Sequence, residues 1–418
     1  MKWGRWFLGN AFAGMPQFDR RVWILSFGRL LSQVGIGFTL FYAPIFFVSQ
    51  VGLSATQVGL GLGSGSISGV VGRVWGGTAA DSVTWGRRRV LLISAAVSTL
   101  ADLVLVLATD FPVFVVGQLL MGLGVGLYWP ATEAMVADIV TVEQRQDAFA
   151  IVRLADSLGL GLGVIFGGIL VATTGAYRLL FVIDGVTFLL FFGVIYGAIA
   201  ETLPPQLANP GSSLRGWAIA LKDQTLLIYV AGNILFTTYL AQVQSTVPLY
   251  LSQFVGGGLS EATLSGLFTG HVVLAALCQL PVSRALQSMS EVRGLMVSAC
   301  LWGLGFGLVG LAGVSSVGSV AWAAVAMATM AIAMASYTPV ASSLVVALAP
   351  EDRRGVYLSV NSLCWAFGYF IGPPLGGWAL DQARWVADGF WVAAAVSVSV
   401  AIAILAILGR RLASTPKG

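Results

Sequence analysis

Twelve stretches of mostly apolar residues follow one another along the chain, each about 20 residues or longer, the length that crosses a bilayer as a helix. They fall at roughly 22–49, 56–80, 90–109, 112–137, 146–172, 178–200, 225–252, 262–283, 293–313, 319–347, 356–380 and 388–409. Backbone amides cannot stay unpaired in hydrocarbon, so such runs must be helical. The expectation is an all-α membrane protein of twelve transmembrane helices. Composition agrees: only 10% of residues are charged, against about 25% in soluble domains. A mean hydropathy of +0.88 also excludes a disordered chain. The 52 glycines suit helices whose backbones approach closely.

The longest polar break is 201–223, with Pro204, Pro205, Asn209, Pro210 and Gly211. It divides the chain into an N-terminal six-helix bundle (1–200), a linker (201–223) and a C-terminal six-helix bundle (224–418). Basic residues mark one side. Seventeen fall on the side of the termini and linker, among them Arg87, Arg88, Arg89, Arg215, Lys222, Arg410 and Arg411; two, Arg178 and Arg384, fall on the other. That bias puts both termini in the cytoplasm of a plasma (inner) membrane protein. It also accounts for a pI near 9.1 without any nucleic-acid partner. Residues Lys2 to Arg21 mix aromatic and basic side chains, which suits a segment on the membrane surface, and lack a signal-peptide pattern. Cys278, Cys300 and Cys364 sit in apolar runs and read as small buried apolar residues. One histidine, His271, excludes a multi-histidine metal site. No P-loop, metal cluster or nucleophile–base set is present, so neither a cofactor nor an enzymatic activity is expected.

The two parts repeat in the same direction. Tyr128-Trp129-Pro130 matches Tyr337-Thr338-Pro339, and Gly163 to Gly168 matches Gly372 to Gly377, both at a spacing of 209 residues. Parallel repeats imply halves related by an axis along the membrane normal. Between spans 2 and 3 stands Gly76-Gly77-Thr78-Ala79-Ala80-Asp81, followed by Gly86-Arg87-Arg88-Arg89. This resembles the signature loop of the major facilitator superfamily, with two extra residues between Asp81 and Gly86. The resemblance implies a conformational latch of Gly77, Asp81, Arg87 and Arg88, with Asp138 as a partner at the end of span 4. The run from Gly122 to Pro130 resembles the twelve-helix drug:proton antiporter subgroup, although Gln118 stands where that subgroup often has an arginine. Span 5 resembles the antiporter glycine motif with Val164 in place of its proline; the intact form is Gly372-Pro373-Pro374-Leu375-Gly376-Gly377 in span 11. Gly163, Gly167, Gly372, Pro373 and Gly376 are thus expected at helix-packing positions.

Ionisable groups within a bilayer pair with one another or line a cavity. In the fold that the resemblance implies, spans 1, 4, 7 and 10 line the cavity and spans 3, 6, 9 and 12 support it. Glu133 and Arg29, then Asp156 and Arg153, are therefore the proton-coupling candidates. Asp102 and Asp184, in spans 3 and 6, read as structural. Substrate-facing candidates are Gln33, Trp129, Asn233, Thr237, Gln244, His271, Tyr337, Asn361 and Trp365. This mixture of aromatic and neutral polar groups suits a small amphipathic solute. The expected function is proton-coupled, multidrug-type efflux by a monomer working through alternating access. Movement of a lipid or lysolipid, and sugar or metabolite transport, are the alternatives of the same fold. A receptor without transport is the alternative from another class.

Overall fold

The apolar runs fold as helices. The computed structural model describes residues 18–80, 82, 84–141, 144–202, 220–286, 288–350 and 354–414. Its elements are α1 (Arg20–Thr39), α2 (Tyr42–Ser49), α3 (Ala55–Ala80), α4 (Gly86–Leu107), α5 (Phe111–Ile139), α6 (Arg145–Thr174) and α7 (Arg178–Ala198), followed by α8 (Gln224–Gln244), α9 (Thr246–Gln253), α10 (Glu261–Leu286), α11 (Glu291–Val314), α12 (Ser319–Leu348), α13 (Arg354–Leu380) and α14 (Arg384–Ser414). The surface-segment expectation for residues 2–17 and most of the linker, 203–219, lie outside the described residues.

Local chemistry sets the helix limits. The Asp110 carboxylate accepts from Val113 N at 3.0 Å, and Asp223 accepts from Thr225 N at 2.8 Å, so each caps the helix that follows. Gly175 ends α6 with φ of 64°, a conformation that only glycine adopts cheaply. Spans 1 and 7 break at matching places, into α1 with α2 and α8 with α9. Pro44 and Pro248 occupy the first turns of α2 and α9, where a missing N–H costs no helical hydrogen bond.

Ten spans among the described residues are long and apolar enough to cross a membrane, with α1–α2 and α8–α9 each acting as one. The other two long helices, α3 and α13, fall short for a physical reason. Eight glycines dilute the apolarity of α3, and Gly, Pro, Tyr and Trp dilute that of α13. These two pack on each other, where close approach matters more than greasiness. Apolar side chains such as Leu103, Phe166, Leu277 and Val396 are more than half exposed, as a lipid-facing surface requires. The protein is a multi-pass integral membrane protein. Cys364 is buried as expected, but Cys278 is only partly buried and Cys300 is exposed; the outward face of a peripheral helix, not its core face, carries Cys300.

Five helix pairings hold the first part together: α1–α6, α1–α7, α3–α5, α4–α5 and α4–α7. The same five recur in the second part as α8–α13, α8–α14, α10–α12, α11–α12 and α11–α14. Across the parts, α3 meets α13 and α6 meets α10. Backbone contact explains the glycines. A Cβ at Gly163 would overlap the Val34 carbonyl and Gly37 of α1, and one at Gly167 would crowd Phe38. A Cβ at Gly372 or Gly376 would press on Ala241 or Thr246, while the Pro373 carbonyl lies against Gly59 of α3.

Candidate functional site

Where the two parts meet, they enclose a cavity of about 580 Å³. Its wall draws on α1 to α8 and α13 and is mostly apolar: Leu40, Leu62, Met121, Phe181, Phe188 and Pro373 contribute. Polar and aromatic groups punctuate it, including Gln33, Gln118, Trp129, Gln244, Trp365 and Tyr369. Four of the expected substrate-facing residues therefore line it: Gln33, Trp129, Gln244 and Trp365. Tyr369 donates to the Gln244 side-chain oxygen at 2.6 Å and stacks on Trp365, with ring centroids 6.1 Å apart.

The other five expected residues are not part of this wall. Asn233 donates to Asn361 Oδ1 at 2.8 Å and accepts from the Tyr337 hydroxyl at 2.6 Å. Tyr229 donates to the same Asn361 oxygen at 2.7 Å. This network ties α8, α12 and α13 together and satisfies its own polar groups. Thr237 is fully buried and donates to the Cys364 carbonyl oxygen at 2.7 Å. His271 is buried with its Nδ1 2.9 Å from the Met327 carbonyl oxygen, and its ring meets Phe41 edge-on. Helical spacing put these residues on one face; it did not say that the face meets another helix.

Two ion pairs join α1, α5 and α6. Arg29 is 1% exposed. Its Nε donates to Asp156 Oδ1 at 2.9 Å and its Nη2 to Asp156 Oδ2, a two-point contact. The guanidinium also lies over the rings of Tyr128 and Trp129, at 5.4 and 5.2 Å. Arg153 pairs more loosely with Glu133, at 3.6 Å, and lies over Trp129 at 5.6 Å. These two side chains are 64% and 49% exposed. Glu133 stands one helical turn from the cavity-lining Trp129 and shares its face.

At the signature loop, Arg87 pairs with Asp138 and donates to the Ala134 carbonyl oxygen at 2.8 Å. Arg88 instead donates to the Tyr196 carbonyl oxygen at 2.6 Å and lies over that ring. Glu201 accepts from the backbone N–H groups of Arg87 and Arg88, at 3.0 and 3.1 Å, so it caps α4. These contacts stay within the first part of the chain. Gly77 faces Pro130 at 3.9 Å, measured from where its Cβ would stand. Asp81 lies outside the described residues.

At the far end the two parts touch. Phe41 stacks on Phe268 at 4.8 Å, Tyr42 meets the same ring edge-on, and Gly377 abuts Ala55. Asp381, just beyond α13, accepts from the backbone N–H groups of Ala55 and Thr56 at 2.9 and 2.7 Å, and so caps α3 from across the interface. No motif pointed to this residue; its only sequence mark is an acid directly after span 11. Burial pushes its carboxyl up, but hydrogen bonds from Thr56, Ser54 and Ala55 outweigh that and hold it below its ordinary 3.8. The cap therefore stabilises the closed end fully above that ordinary value, and its contribution is lost as pH falls through the lowered one. Asp381→Ala is expected to cost the closed end about 0.5–2 kcal/mol, the worth of a helix cap. Spin labels at the exposed Thr173 and Val317 should then report a larger population of long distances at neutral pH. An unchanged distance distribution would remove Asp381 from the closure.

Two acids expected to be structural belong to the cavity wall. Asp102 of α4 and Asp184 of α7 both line it, and both are 1% exposed. Gly65 and Gly69 of α3 and Gly122 and Gly126 of α5 line the same cavity and bring those two helices into backbone contact.

The comparisons with known proteins agree with this geometry. The Major Facilitator Superfamily sequence profile matches residues 25–258 and 246–418. The "Na(+), Li(+), K(+)/H(+) antiporter" of Planococcus maritimus is 26% identical, over 87% of this chain and 91% of its own length. The multidrug resistance protein MdtH of Cronobacter sakazakii is 24% identical over 87% of each chain. The quinolone resistance protein NorA of Staphylococcus aureus is 21% identical over 87% of this chain and 90% of its own. Among solved structures, the nucleoside transporter NupG superposes with a TM-score of 0.75 over 93% of this chain and 99% of its own, at 14% identity. A D-xylose-proton symporter superposes with a TM-score of 0.72 over 90% and 96%, at 17% identity. These relatives and neighbours are transporters rather than enzymes, and the chain belongs to the Major Facilitator Superfamily.

Proposed function

We propose that this chain exports lipophilic or amphipathic small molecules in exchange for protons, by alternating access between two six-helix bundles, 1–200 and 224–418, joined by the 201–223 linker. The observation that carries this reading is the cavity: a mostly apolar wall with Trp129, Trp365 and Tyr369 set among neutral Gln33, Gln118 and Gln244, and with Arg73, Asp102 and Asp184 as its charged members. Such a wall rewards burial of apolar surface and offers several neutral hydrogen-bonding points without demanding one fixed substrate geometry. The relatives named for drug resistance and for cation/proton antiport support the same class. The repeated helix pairings support rocking of two equivalent bundles. The asymmetry of basic residues supports an orientation with both termini cytoplasmic.

In this reading the bundles part at the linker end and close at the far end, then reverse. The Arg29–Asp156 pair, locked by two contacts, holds α1 to α6 throughout. The Glu133–Arg153 pair is loose and exposed, so it is the one free to change partners. A proton taken by Glu133 releases Arg153 and couples proton entry to reorientation. The loop around Gly77 and Asp81, with Arg87, Arg88 and Asp138, latches the linker end when it closes.

Glu133→Gln should keep substrate binding while cutting pH-driven flux at least about tenfold, the scale of removing one group acting in the rate-determining conversion. Flux of the variant that still follows the pH gradient would move coupling elsewhere. The substrate class is tested in sealed vesicles with a panel of cationic dyes and drugs beside labelled lysolipids. Flux of the dyes and drugs is the expected result. Flux of lysolipids alone would replace the export reading by a lipid-moving one.

A further inference from the structure

Asp102 and Asp184 are the acids that the mechanism above leaves unused. They sit on neighbouring helices, and each is 1% exposed. Both Asp102 carboxylate oxygens lack a hydrogen-bond partner, and so does Asp184 Oδ1. Thr39 of α1 donates to the remaining oxygen, Asp184 Oδ2, at 3.2 Å. Glycine brings the two side chains together. A Cβ at Gly185, next to Asp184, would stand 3.3 Å from the Asp102 Cβ and 3.9 Å from its Oδ2. Gly35 of α1 leaves the space that the Asp184 carboxylate occupies.

The charged groups on the helices packed against the pair have other hydrogen-bond or ion-pair partners, although Arg73 lines the same cavity. Arg29 on α1 is held by Asp156, Arg73 on α3 donates to Ser362, and Glu133 on α5 is paired with Arg153. Arg178, at the start of α7, donates to the carbonyl oxygens of Val106 and Ala108. Arg87 and Arg88, at the opposite end of α4, are bound at Asp138 and Tyr196. Tyr128 of α5 faces Arg29. Among the described residues neither aspartate has an ion pair. Two buried carboxylates on neighbouring helices, with no ion pair among the described residues, face each other as like charges. They must hold a positive charge of their own, and they have access to the cavity from which to take it.

We propose that Asp102 and Asp184 form one carboxylate pair that binds and releases a single proton from the cavity. A metal cation would ask for a shell of several oxygens. Among the described residues no group of three or more histidine, cysteine or acidic side chains gathers here to supply that shell. A proton needs only the two carboxylates. The role of this proton in transport rests on the export reading, as a second carrier deeper than Glu133. Its binding is a property of the protein at rest.

The test counts protons without substrate or flux. The purified full chain in lipid nanodiscs is titrated from about pH 5 to about pH 9, the range into which buried carboxylates move. It is compared with D102N/D184N, whose amides keep the same volume. The wild type is expected to release about one proton more per chain than the double variant. Its infrared difference spectrum should carry a protonated-carboxyl band that the double variant lacks. Should the double variant not fold, D102N and D184N are titrated singly. Each is expected to shift the midpoint of the surviving acid by about one pH unit or more, because its partner has lost its charge. Equal proton counts, an unshifted survivor, or a difference that appears only with sodium would each overturn the proposal. Proton release together with absent flux would leave the pair intact and sink the export reading instead.

Discussion

Arg29→Ala is expected to lose about 3–5 kcal/mol of stability, the cost of removing one partner from a buried ion pair. The physical cause is what stays behind. Asp156 is 8% exposed and would be left in the span without the guanidinium that meets both its oxygens. Arg29 also packs over Tyr128 and Trp129, so the variant leaves a gap among aromatics. The double variant R29A/D156A removes the stranded charge and should recover most of the loss, leaving the packing deficit. Thermal unfolding of the purified protein in detergent reads both. A single variant that melts with the wild type would mean that the pair contributes no net stability. In that case α1 and α6 are held by their glycine contact alone.

The second large effect is expected from that contact. Gly163 approaches α1 so closely that even a Cβ would collide with the Val34 carbonyl and with Gly37. Gly163→Leu must push the helices apart, at a cost of at least about 1–3 kcal/mol from overpacking, plus the loss of the Arg29–Asp156 geometry that the crossing sets. Little monodisperse protein should be recovered. Gly193→Leu, which adds the same side chain where nothing stands within 4 Å, serves as the control and should fold normally. Equal yields of the two variants would show that α1 and α6 do not depend on this approach.

Ten of the twelve expected runs were legible by length and apolarity, because lipid allows only helices. Even α3 and α13 could be read, since their glycines dilute hydropathy without shortening the run. The repeat was legible through its glycine motifs: Gly163 packs against the backbone of α1, and Gly372, less tightly, against Ala241 and the Thr238 carbonyl of α8. The breaks in spans 1 and 7 were marked only by Pro44 and Pro248. The cavity wall was harder. Gln33, Trp129, Gln244 and Trp365 could be placed from their faces, yet Asn233, Tyr337 and Asn361 had the same spacing and satisfy one another instead. Spacing names a face, not its neighbour. Asp102 and Asp184 were assigned to supporting spans because no linear pattern shows that the cavity extends to those helices. Asp381 carried no pattern at all; its role exists only because α13 and α3 meet.

Proton-driven export through the cavity is tested most directly by one measurement. The purified chain is reconstituted into sealed vesicles loaded with a dye or drug that it binds, and a pH gradient is imposed. Substrate flux is recorded with and without a protonophore, and again under a sodium gradient at equal pH. The predicted result is flux that follows the pH gradient, reverses when the gradient is reversed, and collapses with the protonophore. Flux driven by sodium with no dependence on the pH gradient, or binding with no flux under any gradient, would contradict it.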